Sequence, residues 1–420
     1  MIQRIKNNAF ARNSLVLFAG TMVANVIGYI FHFVIGRMVS ASVYGEVESL
    51  ISLVAIISVP SSALAMVATK FSAGTKAEND PSGSYDIFSY FNKKILKYSL
   101  PLFVLVIFSS PFVRDYLKIG SIWPLAVVWI MMFLSFFSAA AGGILNGWQK
   151  FRDASVAGIF GGVIKLVTAI IFVRIGFAAG GVVGGFALGA LASYLFSLYC
   201  LKFILRGKSK AKNYISNIDF GSVRNYIMPV FIGNLAIVIL SNADMILAKH
   251  NLGPDQAGEY GALTVVSKII FFITGIIATV LFSMSSEEHH KKNGSTKTLK
   301  QAFFIMSALG LVAVLIYALF PKLILSMLFG SKYHEVSGYL VWFAVSITLF
   351  SFVNLIFQYL LSIHKTRISY FLLVISIMAV LAIELFGHSI SVIIGVMAIS
   401  QVLGIFAGIY LLIKRGDKKI

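Results

Sequence analysis

The sequence predicts an all-α polytopic membrane protein with about twelve transmembrane helices, arranged as two six-helix bundles related by a pseudo-two-fold axis. Three observations carry that prediction: charge is scarce, the apolar runs are long, and a basic polar stretch divides them evenly. Of the 420 residues only 12% are charged and 58% are hydrophobic, with mean hydropathy +0.89. A soluble domain wets its surface with roughly 25% charged residues, so the composition excludes a soluble domain of any size. A bilayer core about 30 Å thick is crossed by ~20 helical residues.

The apolar segments fall at 14–36, 45–69, 95–113, 122–146, 153–174 and 180–203, then at 224–248, 259–284, 300–320, 336–362, 367–386 and 389–413. Between the two sets runs KFILRGKSKAKNYISNIDFGSVR, crowded with Lys202, Arg206, Lys208, Lys210 and Lys212. The expected organisation is therefore an N-terminal bundle over 1–203, a basic cytoplasmic connector over 204–223 and a C-terminal bundle over 224–420. Arg4, Lys6 and Arg12 precede the first segment, which is longer than a signal-peptide core and is followed by Gly36-Arg37 rather than a cleavage site.

Breaks between segments are read from polar and proline-rich runs. Gly74–Ser84, with Pro81 and Gly83, separates the second segment from the third, and Glu287–Thr298 follows the eighth. Pro111 and Pro321 are expected to end the third and ninth, while Pro60 and Pro229 predict kinks within the second and seventh. Gly158-x-x-x-Gly162 and Gly181-x-x-x-Gly185-x-x-x-Gly189 would let the fifth and sixth segments approach closely. Trp123, Trp148 and Tyr333 fit an interfacial aromatic belt, and Glu46 and Glu48 an acidic first helical turn.

The net charge of +19 would suggest nucleic acid in a soluble protein. Placed on the loops with the N-terminus inside, 26 of the 35 basic residues fall on the cytoplasmic side and 7 on the other. The remaining two, Lys165 and Lys268, lie within helices. This asymmetry predicts a multi-pass protein of the cell membrane with both termini cytoplasmic, its basic loops facing anionic membrane lipids and no nucleic acid. The single cysteine, Cys200, leaves no disulfide framework or cysteine-rich metal site.

An internal repeat runs through both halves. Tyr44-Gly45 and Tyr260-Gly261 are 216 residues apart, Lys150 and Arg152 stand 215 before Lys365 and Arg367, and Pro111 and Pro321 differ by 210. Halves with an even number of helices are parallel copies, and such pairs work by alternating access.

At GRMVSASVYG, IISVPSSALAMVATKFSA, NGWQKFR and NADMILAKHNLGPDQAGEYG the chain resembles the Wzx-type polysaccharide flippases of the multidrug/oligosaccharidyl-lipid/polysaccharide (MOP) exporter superfamily. The resemblance covers nearly the whole chain. It implies a MATE-like fold and the movement of an isoprenoid-pyrophosphate-linked oligosaccharide to the outer leaflet. The expected alternative is a cation-coupled multidrug or metabolite exporter, with a membrane glycosyltransferase or polymerase behind it. Every outside loop is short and lacks room for a catalytic domain, so no enzyme activity is expected, and no G-x-x-x-x-G-K-[ST] phosphate loop or cofactor motif is present.

An ammonium deep in a bilayer costs about 2.5–3.5 kcal/mol on insertion scales. Lys165 and Lys268 are therefore expected to face a cavity and attract the carrier's diphosphate, with Arg37 meeting the headgroup near the outer end. Asn25 and Asn234 are placed to bond sugar hydroxyls, as are Asn354, Gln358 and Gln401. Asp244 and Glu384 are the expected carriers of a coupling H⁺ or Na⁺. Adjacent His289 and His290 read as a solvated loop rather than a metal site. In a Cys200→Ser background, a cysteine at Gly253 should react with a membrane-impermeant maleimide from outside the cell, and one at Arg152 only after lysis. The reverse pattern would invert the topology.

Overall fold

A computed structural model describes residues 9–205, 220–290 and 296–413. Arg206, Lys208, Lys210 and Lys212 of the connector, Arg4 and Lys6, and the side chains of Arg12, His289 and His290 lie outside the described residues. Among those described, all regular structure is helical. The first half holds α1 (Ala9–Met38), α2 (Ala41–Ile57), α3 (Val59–Ala77), α4 (Pro81–Tyr116), α5 (Trp123–Gly147), α6 (Phe151–Arg174) and α7 (Ala178–Cys200). The second holds α8 (Phe220–Asn251), α9 (Pro254–His290), α10 (Thr296–Leu319), α11 (Pro321–Phe329), α12 (Leu340–Ser362), α13 (Ile368–Phe386) and α14 (Ile390–Ile413). Among the described residues eleven helices are each long and apolar enough to cross a membrane, and the number reaches twelve if α2 and α3 form one broken span.

The break follows from Pro60. As the second residue of α3 it lacks a backbone N–H where a helix start leaves one unbonded anyway, and the two helices meet at 42°. Pro229 sits inside an unbroken α8. Pro111 does not end a helix: it lies with Pro101 inside α4, which continues to Tyr116. Pro321 does follow the end of α10 at Leu319, as expected, and starts the short α11. The polar run 74–84 also proves mostly helical. Only residues 78–80 separate α3 from α4, because Asp80 caps α4 by accepting the Gly83 N–H at 3.0 Å. Lys93, Lys94 and Lys97 consequently ride on α4 rather than on a loop.

By their contacts the residues form two compact units. One gathers Ile57–Arg224 with the residues before Ser40; the other joins Ser40–Ile56 to the residues from Asn225 onward. The first half of the broken span thus packs with the C-terminal helices. Its reason is a backbone approach that only glycine permits: a Cβ on Gly258 would strike the Ala41 carbonyl oxygen, and one on Gly45 would lie 2.8 Å from the Gly258 nitrogen. Tyr44, fully buried, then sets its ring edge against Phe329, 5.4 Å between centroids. Tyr333 is fully buried as well, its ring 5.6 Å from Phe329, so it is no part of an interfacial belt.

In the first unit α6 and α7 pack through glycine. A Cβ on Gly189 would meet the Gly161 carbonyl oxygen at 2.6 Å and Lys165 Cβ at 2.7 Å, while one on Gly185 would meet Ala169 at 2.7 Å. On α6 the contact residue is Gly161, not the expected Gly158, which has open space beside it, or Gly162, which faces Ile27.

The internal repeat is written in the backbone. Gln149 and His364, 215 residues apart, both take a left-handed conformation, with φ 56° and 61°. Each is followed by a lysine that reaches back five residues: Lys150 N–H to Leu145 O and Lys365 N–H to Leu360 O, both at 2.8 Å. These are the same helix-terminating reversal made with different side chains.

Overpacking a close helix contact costs about 1–3 kcal/mol. Gly189→Val should lower the thermal unfolding midpoint in detergent, whereas Gly158→Ala should leave it unchanged or raise it. Equal midpoints for both would deny the α6–α7 contact its role.

A polar cavity in the second unit

Within the second unit α8, α9, α12 and α14 enclose a cavity of about 30 Å³, room for a water molecule or one small cation. Each helix presents one face. Ser241 and Asp244 come from α8; Tyr260, Thr264, Ser267 and Lys268 from α9; Ser346 from α12 and Gln401 from α14. The α9 residues recur at i, i+4, i+7 and i+8, the spacing of a single stripe on a 3.6-residue helix.

Asp244 is 6% exposed. Its Oδ2 accepts the hydroxyl of the fully buried Tyr260 at 2.7 Å, and its Oδ1 makes no hydrogen bond. The hydroxyls of Thr264 and Ser267 are buried without hydrogen-bond partners as well. Lys268, half-buried, donates to Asn242 Oδ1 at 3.2 Å and lies in the field of the Asp244 and Glu48 carboxylates. Ser346 and Gln401 bond one another at 2.8 Å. Three bare buried oxygens around one cavity are uncommon, because an unmade buried hydrogen bond costs about 1–3 kcal/mol.

Glu48 is not an exposed charge in a first helical turn. It is buried, takes a hydrogen bond from Tyr44, and acts on Lys268 from α2. Tyr333, beside it, has its hydroxyl pKa pushed up by burial first and then by the charges of Glu48, Glu259 and Asp255. Lys249, just past the apolar segment 224–248, is buried in the last turn of α8, where its charge acts on Glu46.

Lys165 is held differently in the first unit. Half-buried on α6, its Nζ lies 4.7 Å from the ring centre of Phe31 and 4.4 Å from that of Phe186. Aromatic faces attract a cation by about 0.5–2 kcal/mol. Both lysines stand fourteen residues past the first residue of their helix, Phe151 and Pro254. That is about 21 Å along the axis, deeper for Lys268 than its apolar segment alone implies.

The structure brings Lys268, Asp244 and Gln401 together and leaves the other sequence-predicted residues elsewhere. Arg37 is exposed at the end of α1, and Asn25 on α1 and Asn234 on α8 are half-buried in different units. Asn354 is buried and Gln358 half-buried on α12. Glu384, on α13, has 38% of its side chain exposed and sits 3.8 Å from His250 Nε2, outside the cavity. Among the described residues no group of three His, Cys, Asp or Glu side chains is placed to hold a metal. Sequence reasoning passed over Thr264, Ser267 and Ser346, and noted Tyr260 only as a repeat marker. The polar stripe on α9 was the signal available.

The family model for polysaccharide biosynthesis proteins matches residues 10–289. An uncharacterized membrane protein of Methanocaldococcus jannaschii is 21% identical over 381 residues, covering 87% of this chain and 88% of that one. The inward-facing conformation of a multidrug resistance MATE transporter of the MOP superfamily superposes with TM-score 0.73 at 15% identity, over 96% of this chain and 99% of that one. The lipid II flippase MurJ in an inward closed conformation gives 0.70 at 16% identity, over 95% and 87%.

Tyr260→Phe would leave neither Asp244 oxygen hydrogen-bonded. It should destabilise the protein by about 1–3 kcal/mol, while adding it to Asp244→Ala, which removes both acceptor oxygens, should cost measurably less. A double-mutant cycle of unfolding in detergent checks this, and strictly additive effects would mean the bond contributes nothing.

Proposed function

The chain belongs to the polysaccharide biosynthesis protein family, and from that premise we propose that it is a transporter of the MOP superfamily that flips an isoprenoid-pyrophosphate-linked oligosaccharide. The cargo moves from the cytoplasmic to the outer leaflet of the cell membrane by alternating access, for surface polysaccharide biosynthesis. The observation that carries this reading is the pair of mid-helix lysines. An ammonium at that depth is tolerated only when something answers its charge. Lys165 rests on two aromatic faces. Lys268 shares a polar cavity with a single carboxylate, Asp244. A diphosphate is a compact multivalent anion, and lysine meets it as a flexible point charge.

The cavity itself is far too small for sugars. Its part in the cycle is to handle charge: Asp244 takes up the coupling H⁺ or Na⁺ that powers the return of the empty carrier. Arg37, Asn25 and Asn234 contact the headgroup and glycan along the route. Both termini face the cytoplasm, and membrane lipids meet the basic loops. The similar folds are those of a multidrug transporter and a lipid II flippase, which supports a non-enzymatic role.

One observation favours a second reading. A buried carboxylate with a bare oxygen is also what an exporter of organic cations presents to its drug. The two readings separate in proteoliposomes. Flipping of a fluorescent lipid-linked oligosaccharide should fall to background in the Lys165→Ala/Lys268→Ala double variant, with its melting curve intact. Undiminished flipping would remove the lysines from the mechanism. Binding of a cationic dye that is lost with Asp244→Asn, without any flipping by the native chain, would replace the flippase with the exporter.

A further inference from the structure

We propose that the outward face of α4 from Tyr90 to Phe108 binds one anionic glycerophospholipid, its phosphate on Lys93, Lys94 and Lys97 and an acyl chain along Val104, Leu105 and Phe108. The inference stands apart from the cargo reading and holds whatever the chain transports.

α4 is 36 residues long, whereas ~20 cross a bilayer core. Its first turns therefore stand outside the hydrocarbon, and one face changes character along its length. Ile87, Phe91 and Ile95 turn inward onto Ala68 and Ala140. Tyr90, Lys97, Val104 and Phe108 follow at i, i+7, i+14 and i+18, a single line along a 3.6-residue helix. Lys93, Lys97, Tyr98, Val104, Leu105 and Phe108 are all exposed. The rise from Lys97 to Phe108 is about 16 Å, close to the ~15 Å of hydrocarbon in one leaflet.

Pro101 marks the level of the headgroups. It lies inside α4 without a backbone N–H, so the Lys97 carbonyl loses its helical donor. Hydrocarbon offers such a carbonyl nothing, whereas at the headgroups water and glycerol hydroxyls donate to it.

The three ammoniums are positioned without being neutralised. Lys94 Nζ lies 5.4 Å from the ring centre of Tyr90 and 5.8 Å from that of Tyr98, and Lys97 Nζ lies 5.7 Å from Tyr98. A ring orients a cation through its quadrupole but carries no net charge. None of the three lysines pairs with a carboxylate among the described residues. The nearest along the helix, Asp86, stands seven residues before Lys93, about 10 Å along the axis. The far end of α4 differs: Arg114 donates twice to Asp115 Oδ1, at 2.8 and 2.7 Å, so that charge is already answered. A lipid phosphate is the anion a membrane supplies at this level, and bonds between ammonium and phosphate are charge-assisted. Tyrosine suits the same level, with an apolar ring and a wet hydroxyl.

The test is native mass spectrometry of the full chain in detergent, titrated with phosphatidylglycerol or phosphatidylcholine. The native chain should retain one phosphatidylglycerol, bound at least about tenfold more tightly than phosphatidylcholine. Each lysine beside an anionic headgroup contributes about fivefold. Lys94→Gln/Lys97→Gln should therefore weaken phosphatidylglycerol binding about twentyfold, and adding Lys93→Gln about a hundredfold. Lys297→Gln/Lys300→Gln/Lys322→Gln, an equal change of charge in the second unit, should bind as the native chain does. In phosphatidylcholine every variant should melt with the native chain, and phosphatidylglycerol should raise the midpoint of all but the α4 variants. No preference for phosphatidylglycerol, or an equal loss in the second-unit variant, would overturn the proposal. Early melting of the α4 variants in phosphatidylcholine would overturn it too, by making the lysines structural. Displacement of the bound lipid by an equimolar short-chain isoprenyl diphosphate would assign the face to the cargo instead.

Discussion

A charge taken out of water has to be answered by another group, and the polar interior of the second unit is built from such answers. Asp244 receives a tyrosine hydroxyl and shares the field of an ammonium; that ammonium receives an asparagine oxygen and a second carboxylate from α2. Each partner sits on a different turn of helices that hydropathy alone would describe as greasy cylinders. In the first unit Lys165 lies across two phenylalanine rings. The two cations thus sit in unequal surroundings, one against aromatic rings and the other in a polar cavity beside a carboxylate.

The duplicated architecture makes this inequality visible. Tyr44 and Tyr260 occupy corresponding places and are equally buried, yet one bonds Glu48 on its own helix and the other Asp244 on the preceding span. Gln149 and His364 share a backbone conformation with no common side-chain chemistry. Backbone geometry has outlasted side-chain identity, as expected when helix termini set the packing and charged residues set the function.

The helical membrane fold was legible because composition and run length leave little else for such a chain to be. Helix ends were less so. A polar helix beyond the bilayer satisfies its backbone as well as a loop does, so the hydropathy drop at 74–84 marks the edge of the apolar layer rather than the end of the helix. Lys165, Lys268 and Asp244 stood out as charges in apolar surroundings. Thr264, Ser267 and Ser346 did not, because hydroxyls in helices commonly bond the carbonyl a turn earlier, as Thr274 does with Ile270. Only the packed structure separates those that do from those that do not. Burial of Glu48, Lys249 and Tyr333 was hidden for a related reason: each lies near a predicted segment end, where sequence pattern assigns it to water.

The grouping of residues 40–56 with the second unit bears on how the chain matures. Synthesis delivers Tyr44, Gly45 and Glu48 early, but Gly258, Phe329 and Lys268, against which they pack or whose charge they balance, follow more than two hundred residues later. Until then Glu48 has no lysine and the α2 glycine contact no opposite backbone. The bundle that holds the cavity closes only when nearly the last helices arrive, so the halves are not modules assembled in series. A gene cut at the connector would hand one fragment an orphaned helix and the other an open seam.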